Sequence, residues 1–457
     1  MNSVLFETDW LASQPVFYNE RTGKASHNIN DVIDYANLEF DREGFNNYLD
    51  FGYSVLEQTP INHVRFLRHS SRLLVDERGK LSVEYLSDPL EQWRGYRLSE
   101  DDVIDLIKHR VSEWERSVEG EIIIPTSGGY DSRLLNWCIE DKSRVRSFTY
   151  GISDHQAESY EVVYAQRLSE ILGTRWEQIP LGDFHKYFDD WEKLFGVSTH
   201  AHGMYHFEFY DNILTRLEGG NPFLSGITGD SFAGNWDISK LDGPADVRSL
   251  GFTRGVHADS GYSQYLVQGS RLTNYWDTQK ERLQDKRVCV IEAMRFKIIL
   301  LCYLVIVPRA FRFRPWSPFL DLDVAMAMIN LPTERRRDRI WQREFFEKCG
   351  LGFESMDLKA SRQNTLDLQA VRRVPVKPLD VTLLREVVQP DYVAWINRNV
   401  RYGWREKMLE GLFHSDKVEG VLKRLGVSSN VSRQREAYNA YCVLLPIENL
   451  LRKRNLT

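Results

Sequence analysis

The sequence predicts an α/β fold. A parallel sheet covered by helices on both faces is followed by a mostly helical C-terminal portion and preceded by a small β-rich unit. Three observations carry this. A β-branched run at Glu121–Pro125 leads directly into a glycine-rich turn and a helix-compatible pattern. Strand-like and helix-like stretches then alternate through residue 225, the order expected of parallel strands joined by crossover helices. A later strand ends in a second glycine-rich loop, Ser225 to Gly234. Ligands of such sheets sit at the C-terminal ends of the strands, so both loops are candidate ligand-binding elements.

The chain has 457 residues, room for roughly two or three domains. Its 42% hydrophobic and 27% charged residues are those of a globular protein. A net charge of −6 gives no general attraction to nucleic acid or to an anionic membrane. The basic Arg452-Lys453-Arg454 reads as a solvated tail. Five cysteines, odd in number and without a C-x-x-C pair, point to reduced thiols in a cytoplasmic protein, not to a disulfide framework or a zinc site. The first residues lack the basic and apolar regions of a signal peptide. The longest apolar run, Ile298 to Val307, is too short for a bilayer and reads as a core helix.

Residues 1–97 read as the β-rich unit, with strands at 64–67, 71–75 and 81–86 and turn chemistry at Asp76 to Lys80. Residues 98–457 read as the second domain. Ser99 caps a helix that runs to about residue 118, with Val103, Ile104, Ile107, Val111 and Trp114 at helical spacing. The strand at 121–125 follows. A second strand covers 145–150 and ends at Gly151, a helix covers 157–172 and ends at Gly173, and further strands cover 176–180 and 222–225.

The turn after the first strand of the sheet reads Ser127-Gly128-Gly129-Tyr130-Asp131-Ser132. Strand, glycine turn and helix N-terminus together make an anion site, with serine hydroxyls as added donors. An acid inside such a loop repels phosphate, so Asp131 makes sense as a ligand to a divalent cation that bridges to the phosphates. No Gly-Lys-Ser/Thr follows, which excludes a Walker A loop. The segment resembles the PP-loop, Ser-Gly-Gly-x-Asp-Ser, of the N-type ATP pyrophosphatases, and every specified position fits. The resemblance implies a Rossmann-like sheet that binds ATP and Mg²⁺ and releases pyrophosphate as a substrate attacks the α-phosphorus.

Three further segments resemble the asparagine synthetase and β-lactam synthetase branch of that family. Ser225, Gly226, Asp230 and Gly234 match its Ser-Gly-x-Gly-x-Asp-Glu-x-Phe-x-Gly loop. Asp131 and Asp230 would then be the two acids on Mg²⁺. Tyr150, Gly151, Ser225 and Gly226 would join the PP-loop residues in holding the nucleotide. Pro318-Phe319-Leu320-Asp321 matches the branch's Arg-x-Pro-Phe-Leu-Asp turn, with Arg314 as the shifted arginine. Lys359-Ala-Ser-Arg362 stands where the branch has a catalytic lysine loop, so Lys359 or Arg362 would stabilise negative charge. His200, His202 and His206 border the implied acceptor site; the last two, four residues apart, would share a helix face as metal-binding histidines do.

The departures matter as much. The branch carries an acid or a tyrosine for acyl transfer where this chain has Ile227, which cannot move a proton, and Ser231 replaces its glutamate. Residues 50–97 resemble the end of a glutaminase domain, yet the N-terminal nucleophilic cysteine is replaced by Asn2. That unit is therefore expected to pack, or to shape the substrate pocket, without hydrolysing glutamine. The implied activity is an AMP- and pyrophosphate-forming amide ligase acting on a small-molecule carboxylate. Its nitrogen would come from ammonia, an amine substrate or a separate glutaminase, and natural-product or surface-polysaccharide biosynthesis would suit it. A non-catalytic nucleotide-binding paralogue and a PP-loop enzyme that adenylates a carbonyl oxygen are the alternatives.

Overall fold

The computed structural model describes residues 3–217, 219–236, 240–252, 255–265, 269–356, 358–401 and 430–457. Asn2 and residues 402–404, the end of an expected apolar helix from 392, lie outside them. Among the described residues no helix is long and apolar enough to cross a membrane.

Eleven strands are described. β1 (Ser3–Glu7), β5 (Ser71–Val75) and β6 (Leu81–Tyr85) form one antiparallel sheet; β2 (Phe17–Asn19), β3 (Ala25–Ser26) and β4 (Val64–Phe66) form another. The β5–β6 hairpin closes on Asp76, whose carboxylate accepts from the N–H groups of Arg78 and Lys80. A helix at Arg42–Phe51, ended by Gly52 in the left-handed region, joins this unit.

The central sheet contains β7 (Ile122–Pro125), β8 (Val145–Thr149), β9 (Arg175–Gln178), β10 (Pro222–Leu224) and β11 (Arg314–Trp316) in the order β11-β10-β7-β8-β9, all parallel. Strand periodicity explains why β7 is apolar throughout. Ile122 and Ile124 enter one core with Leu134 and Ile104, while Ile123 enters the other with Phe148 and Phe223. All three isoleucines are fully buried. The chain runs β7, β8, β9 outward, then returns to place β10 on the other side of β7. The loops after β7 and β10 thus flank the topological switch point, where a crevice opens.

The expected helices are present. Glu100–Ser117 begins with a full capping box between Ser99 and Asp102, buries Val103, Ile104, Ile107 and Val111, and stacks Trp114 on Trp316 of β11. Tyr160–Leu172 ends at Gly173 in the left-handed region. Two expectations change. Ile298 to Val307 spans the end of the buried Lys286–Leu301 and most of the half-buried Tyr303–Ala310, two helices instead of one. The segment 312–321, expected as a turn, contributes β11. Pro315 is tolerated there because β11 is an edge strand.

Candidate active site

The loop Thr126–Gly129 connects β7 to the helix Tyr130–Cys138. It is held by its own serines: Ser127 N–H donates to Ser132 Oγ (3.2 Å), Gly129 N–H to Ser127 Oγ (3.4 Å), and Ser132 Oγ to Gly129 O (3.2 Å). Gly128 has φ +69°, and a Cβ there would lie 2.3 Å from Tyr164 Cβ. Only glycine fits. Gly129, at the helix N-cap, has no side chain to cap the first turn, and Gly129, Asp131 and Ser132 of that turn line the crevice.

Below the loop Arg133 is fully buried. Its guanidinium donates to Gly128 O (2.8 Å), Leu351 O (2.8 Å) and both oxygens of Glu354 (3.0 and 3.1 Å), within a cage of Tyr130, Phe346 and Phe353 rings.

Asp131 stands in the first turn of that helix, facing the loop after β10. A Cβ on Gly229 would lie 3.1 Å from Asp131 Cγ. Burial, and then the neighbouring charge of Asp230, push the Asp131 carboxyl up to about 7. Its Oδ1 is buried with no hydrogen-bond partner among the described residues. Asp230 is fixed by Ser231 (3.2 Å) and Asn235 (3.0 Å). A half-buried carboxyl with an unused buried oxygen, set beside a second carboxylate, fits a divalent cation. Asp131 and Asp230 are the residues that would hold it. Arg339 Nη1 approaches Asp131 Oδ2 at 3.7 Å from a segment where Asp338 and Arg339 both have left-handed backbones. Thr228, ahead of Asp230, is left-handed as well. Such strain in non-glycine residues gathers at functional sites.

The crevice is a cavity of about 410 Å³. Ser127, Gly129, Asp131 and Ser132 line one end, Ser225, Gly226 and Ile227 a side, and Phe148, Tyr150, Tyr205, His206, Phe209 and Tyr210 an aromatic end. Gly128, Tyr130, Gly151 and Asp230 do not line it, although Ser225, Gly226 and Ile227 of the Asp230 loop do. Tyr130 stacks on Phe346, and Gly151 packs where a Cβ would meet Gln156 O at 2.1 Å. Ile227 is buried in the wall. Among the described residues none from 1–97 lines it.

The three histidines separate. His206 faces the cavity, and burial holds it down to about 3. His200 is buried, accepts from His202 N–H at 3.3 Å and is likewise lowered to about 3. His202 Nε2 lies 3.0 Å from Asp367 Oδ2; burial works to lower it, but Asp367 prevails and raises it. His202 lies in the 3₁₀ turn Ala201–Met204 and His206 in the helix Tyr205–Leu214. The shared helix face expected of them is therefore absent, and the three form no metal-binding group among the described residues.

Lys359 is exposed. Arg362 lies 4.3 Å from the Tyr160 ring centroid on a loop pinned by Tyr160 N–H to Ser361 O (2.8 Å) and Thr365 N–H to Ile152 O (2.8 Å). That loop sets Arg362 near Glu161, a cavity residue that sequence reasoning missed. Glu161 is raised by burial, and its Oε2 is buried without a partner among the described residues. Its place in the first turn after Ser159, beside a strand end, was the one signal available.

No family model matches this chain, and no curated protein does. Among solved structures, an NH3-dependent NAD synthetase from Campylobacter jejuni, in complex with nitrate, is similar at 12% identity over 45% of this chain and 96% of that one, with a TM-score of 0.24. At that level the likeness identifies neither fold nor function.

Proposed function

We propose that the chain is an ATP-dependent amide ligase of the asparagine synthetase-like kind, forming AMP and pyrophosphate. The observation that carries this is the meeting of Asp131, with its unpartnered buried oxygen, and the Asp230 loop across one crevice at the sheet's switch point. Ser127, Gly129 and Ser132 would hold the pyrophosphate that leaves as a substrate carboxylate attacks the α-phosphorus. Asp131 and Asp230 would hold Mg²⁺, which would supply neutralisation of phosphate charge. The aromatic end, with Tyr150, His206 and Tyr210, would take the body of the carboxylate substrate. The acyl-adenylate is then opened by ammonia or an amine to give the amide and AMP. Ile227 cannot take the proton released; Glu161, half-buried and raised, is a carboxylate on the wall, apart from Asp131, that can. Arg362, beside it, would balance developing charge, a role for which exposed Lys359 is less well set.

The test uses α-labelled ATP with Mg²⁺, ammonium, a metabolite extract and the full chain. Extract-dependent AMP is expected, falling by about 10²-fold or more in Asp131→Ala. ADP instead of AMP would overturn the ligase. The buried Ile227 favours a second reading, a non-catalytic nucleotide-binding protein. Tight ATP binding without turnover on any extract would favour it.

A further inference from the structure

A second cavity, of about 330 Å³, lies between residues 11–88 and the helical segment 271–298, and shares no lining residue with the first. Leu56, Phe66, Leu67 and Phe296 give it apolar walls. Apart from Glu57, whose carboxylate accepts from the Tyr85 hydroxyl, its charged groups fall into two sets.

The first set is closed on itself. Arg295 donates to both oxygens of Asp88 (2.7 and 2.9 Å) and to Glu292 (2.8 Å), Arg282 reaches Asp88 at 2.8 Å, and the Tyr275 hydroxyl donates to Glu292 at 2.7 Å. The second set is open. Arg68 and Arg271 carry guanidinium groups that make no hydrogen bond and no ion pair among the described residues. Arg68 lies 3.9 Å from the ring centroid of Tyr85, whose hydroxyl is already committed to Glu57 at 2.9 Å. His69, on the same wall, has a buried Nδ1 with no partner among the described residues, and burial followed by the Arg295 charge holds its ring neutral near neutral pH.

A cation does not suit this place. His69, Asp88 and Glu292 have ligand atoms within 4.8 Å of one another, but both carboxylates already face Arg295. An added metal would displace those pairs and meet two guanidinium charges. The unmet demand is for negative charge. Guanidinium forks bind carboxylate and phosphate bidentately, most strongly where apolar walls exclude water. A volume of this size suits a small organic molecule.

We propose that this cavity binds a small organic anion, a carboxylate or phosphate monoester on an apolar body, through Arg68 and Arg271. The inference is independent of the nucleotide reading, because it draws on no residue of the first cavity.

Phenylacetate, phenyl phosphate and neutral phenylacetamide are titrated calorimetrically into the full chain and into Arg68→Ala, Arg68→Lys and Arg271→Ala. Neither arginine makes an ion pair among the described residues, so the variants are expected to fold, with thermal unfolding as the check. The expected result is saturable binding of one or both anions and at least about tenfold weaker binding of the amide. The affinity should fall by about tenfold in each alanine variant and partly return in Arg68→Lys. Saturating Mg²⁺-ATP should leave the anion affinity unchanged. The better of the two anions identifies the headgroup. The proposal is overturned if neither anion binds, if the amide binds as well, if folded Arg68→Ala and Arg271→Ala bind like the parent, or if ATP competes.

Discussion

Gly128 and Gly129 are adjacent, yet they do different work. Gly128 is there for the fold. Its left-handed backbone costs a side chain roughly 1–2 kcal/mol, and its Cβ would overlap Tyr164, adding about 1–3 kcal/mol of overpacking. Gly128→Ala is therefore expected to lower the unfolding midpoint in urea substantially. Gly129 has φ −65°, and a methyl added there would meet only the movable Ser127 Oγ, at 3.3 Å. Gly129→Ala should unfold within about 1 kcal/mol of the parent and still bind Mg²⁺-ATP about tenfold or more weakly, because the methyl enters the crevice. If both variants lose the same stability, the division of labour is wrong. At this scale the glycine turns, Asp131 and Asp230 were visible in the sequence as motifs, with roles that came from a family resemblance. Glu161 and Arg339 were not. Each reaches the site from an element whose position depends on long-range packing; a first-turn place after Ser159 was all that the sequence offered for Glu161.

Among the elements, the strand-loop-helix units after β7 and β10 were legible because their apolar runs end in glycines. β11 was not. It is three residues long, contains Pro315 and holds its place by pairing with β10 and by the stacking of Trp316 on Trp114. The histidine segment departs from its expected geometry for a local reason: a 3₁₀ turn interrupts the helical period that would have aligned His202 with His206. The glycine loop also depends on an element far away in sequence. Arg133 fastens Gly128 O to Leu351 O and Glu354, tying the loop to the segment after the helix Ile340–Lys348. Arg133→Met leaves two carbonyls and a partly exposed carboxylate without their donor. A loss of about 2–4 kcal/mol is expected, read as a shift of the urea midpoint, with nucleotide affinity falling as the loop loosens. A midpoint unchanged within error would show that the loop holds itself.

Over the whole molecule, the β-rich unit is tied to the rest by a common core. Phe17, Phe45 and Tyr48 cluster with Tyr441, Val443 and Ile447 of the helix Asn430–Leu456, and the Tyr48 hydroxyl donates to Val443 O at 3.2 Å. Composition could not reveal that sharing, because apolar residues announce burial without naming the partner. Histidines mark the same seams. His200 N–H donates to Gly52 O at 2.8 Å, and His69 faces Arg295. With His206, these are three imidazoles that burial lowers from 6.5 to about 3. For a lowered histidine the unfolded chain takes up protons first, so stability is full above the unfolded pKa of about 6.5 and is lost as pH falls toward the folded value. Near pH 5 each such group costs about 2 kcal/mol, a large share of a typical domain's stability. His202 has the opposite sign: raised by Asp367, its contribution is present below 6.5 and fades as pH rises through its folded value, so it offsets part of the loss. Asp131, raised to about 7, and Glu161, also raised, pull the same way as His202, because a raised carboxyl loses stability as pH rises. The expectation is therefore read on one ring, with His200→Asn raising the urea midpoint at about pH 5 relative to that at about pH 7.5, compared with the parent. The same pH dependence in His200→Asn as in the parent would mean that this ring is protonated, or reaches water, in the folded protein.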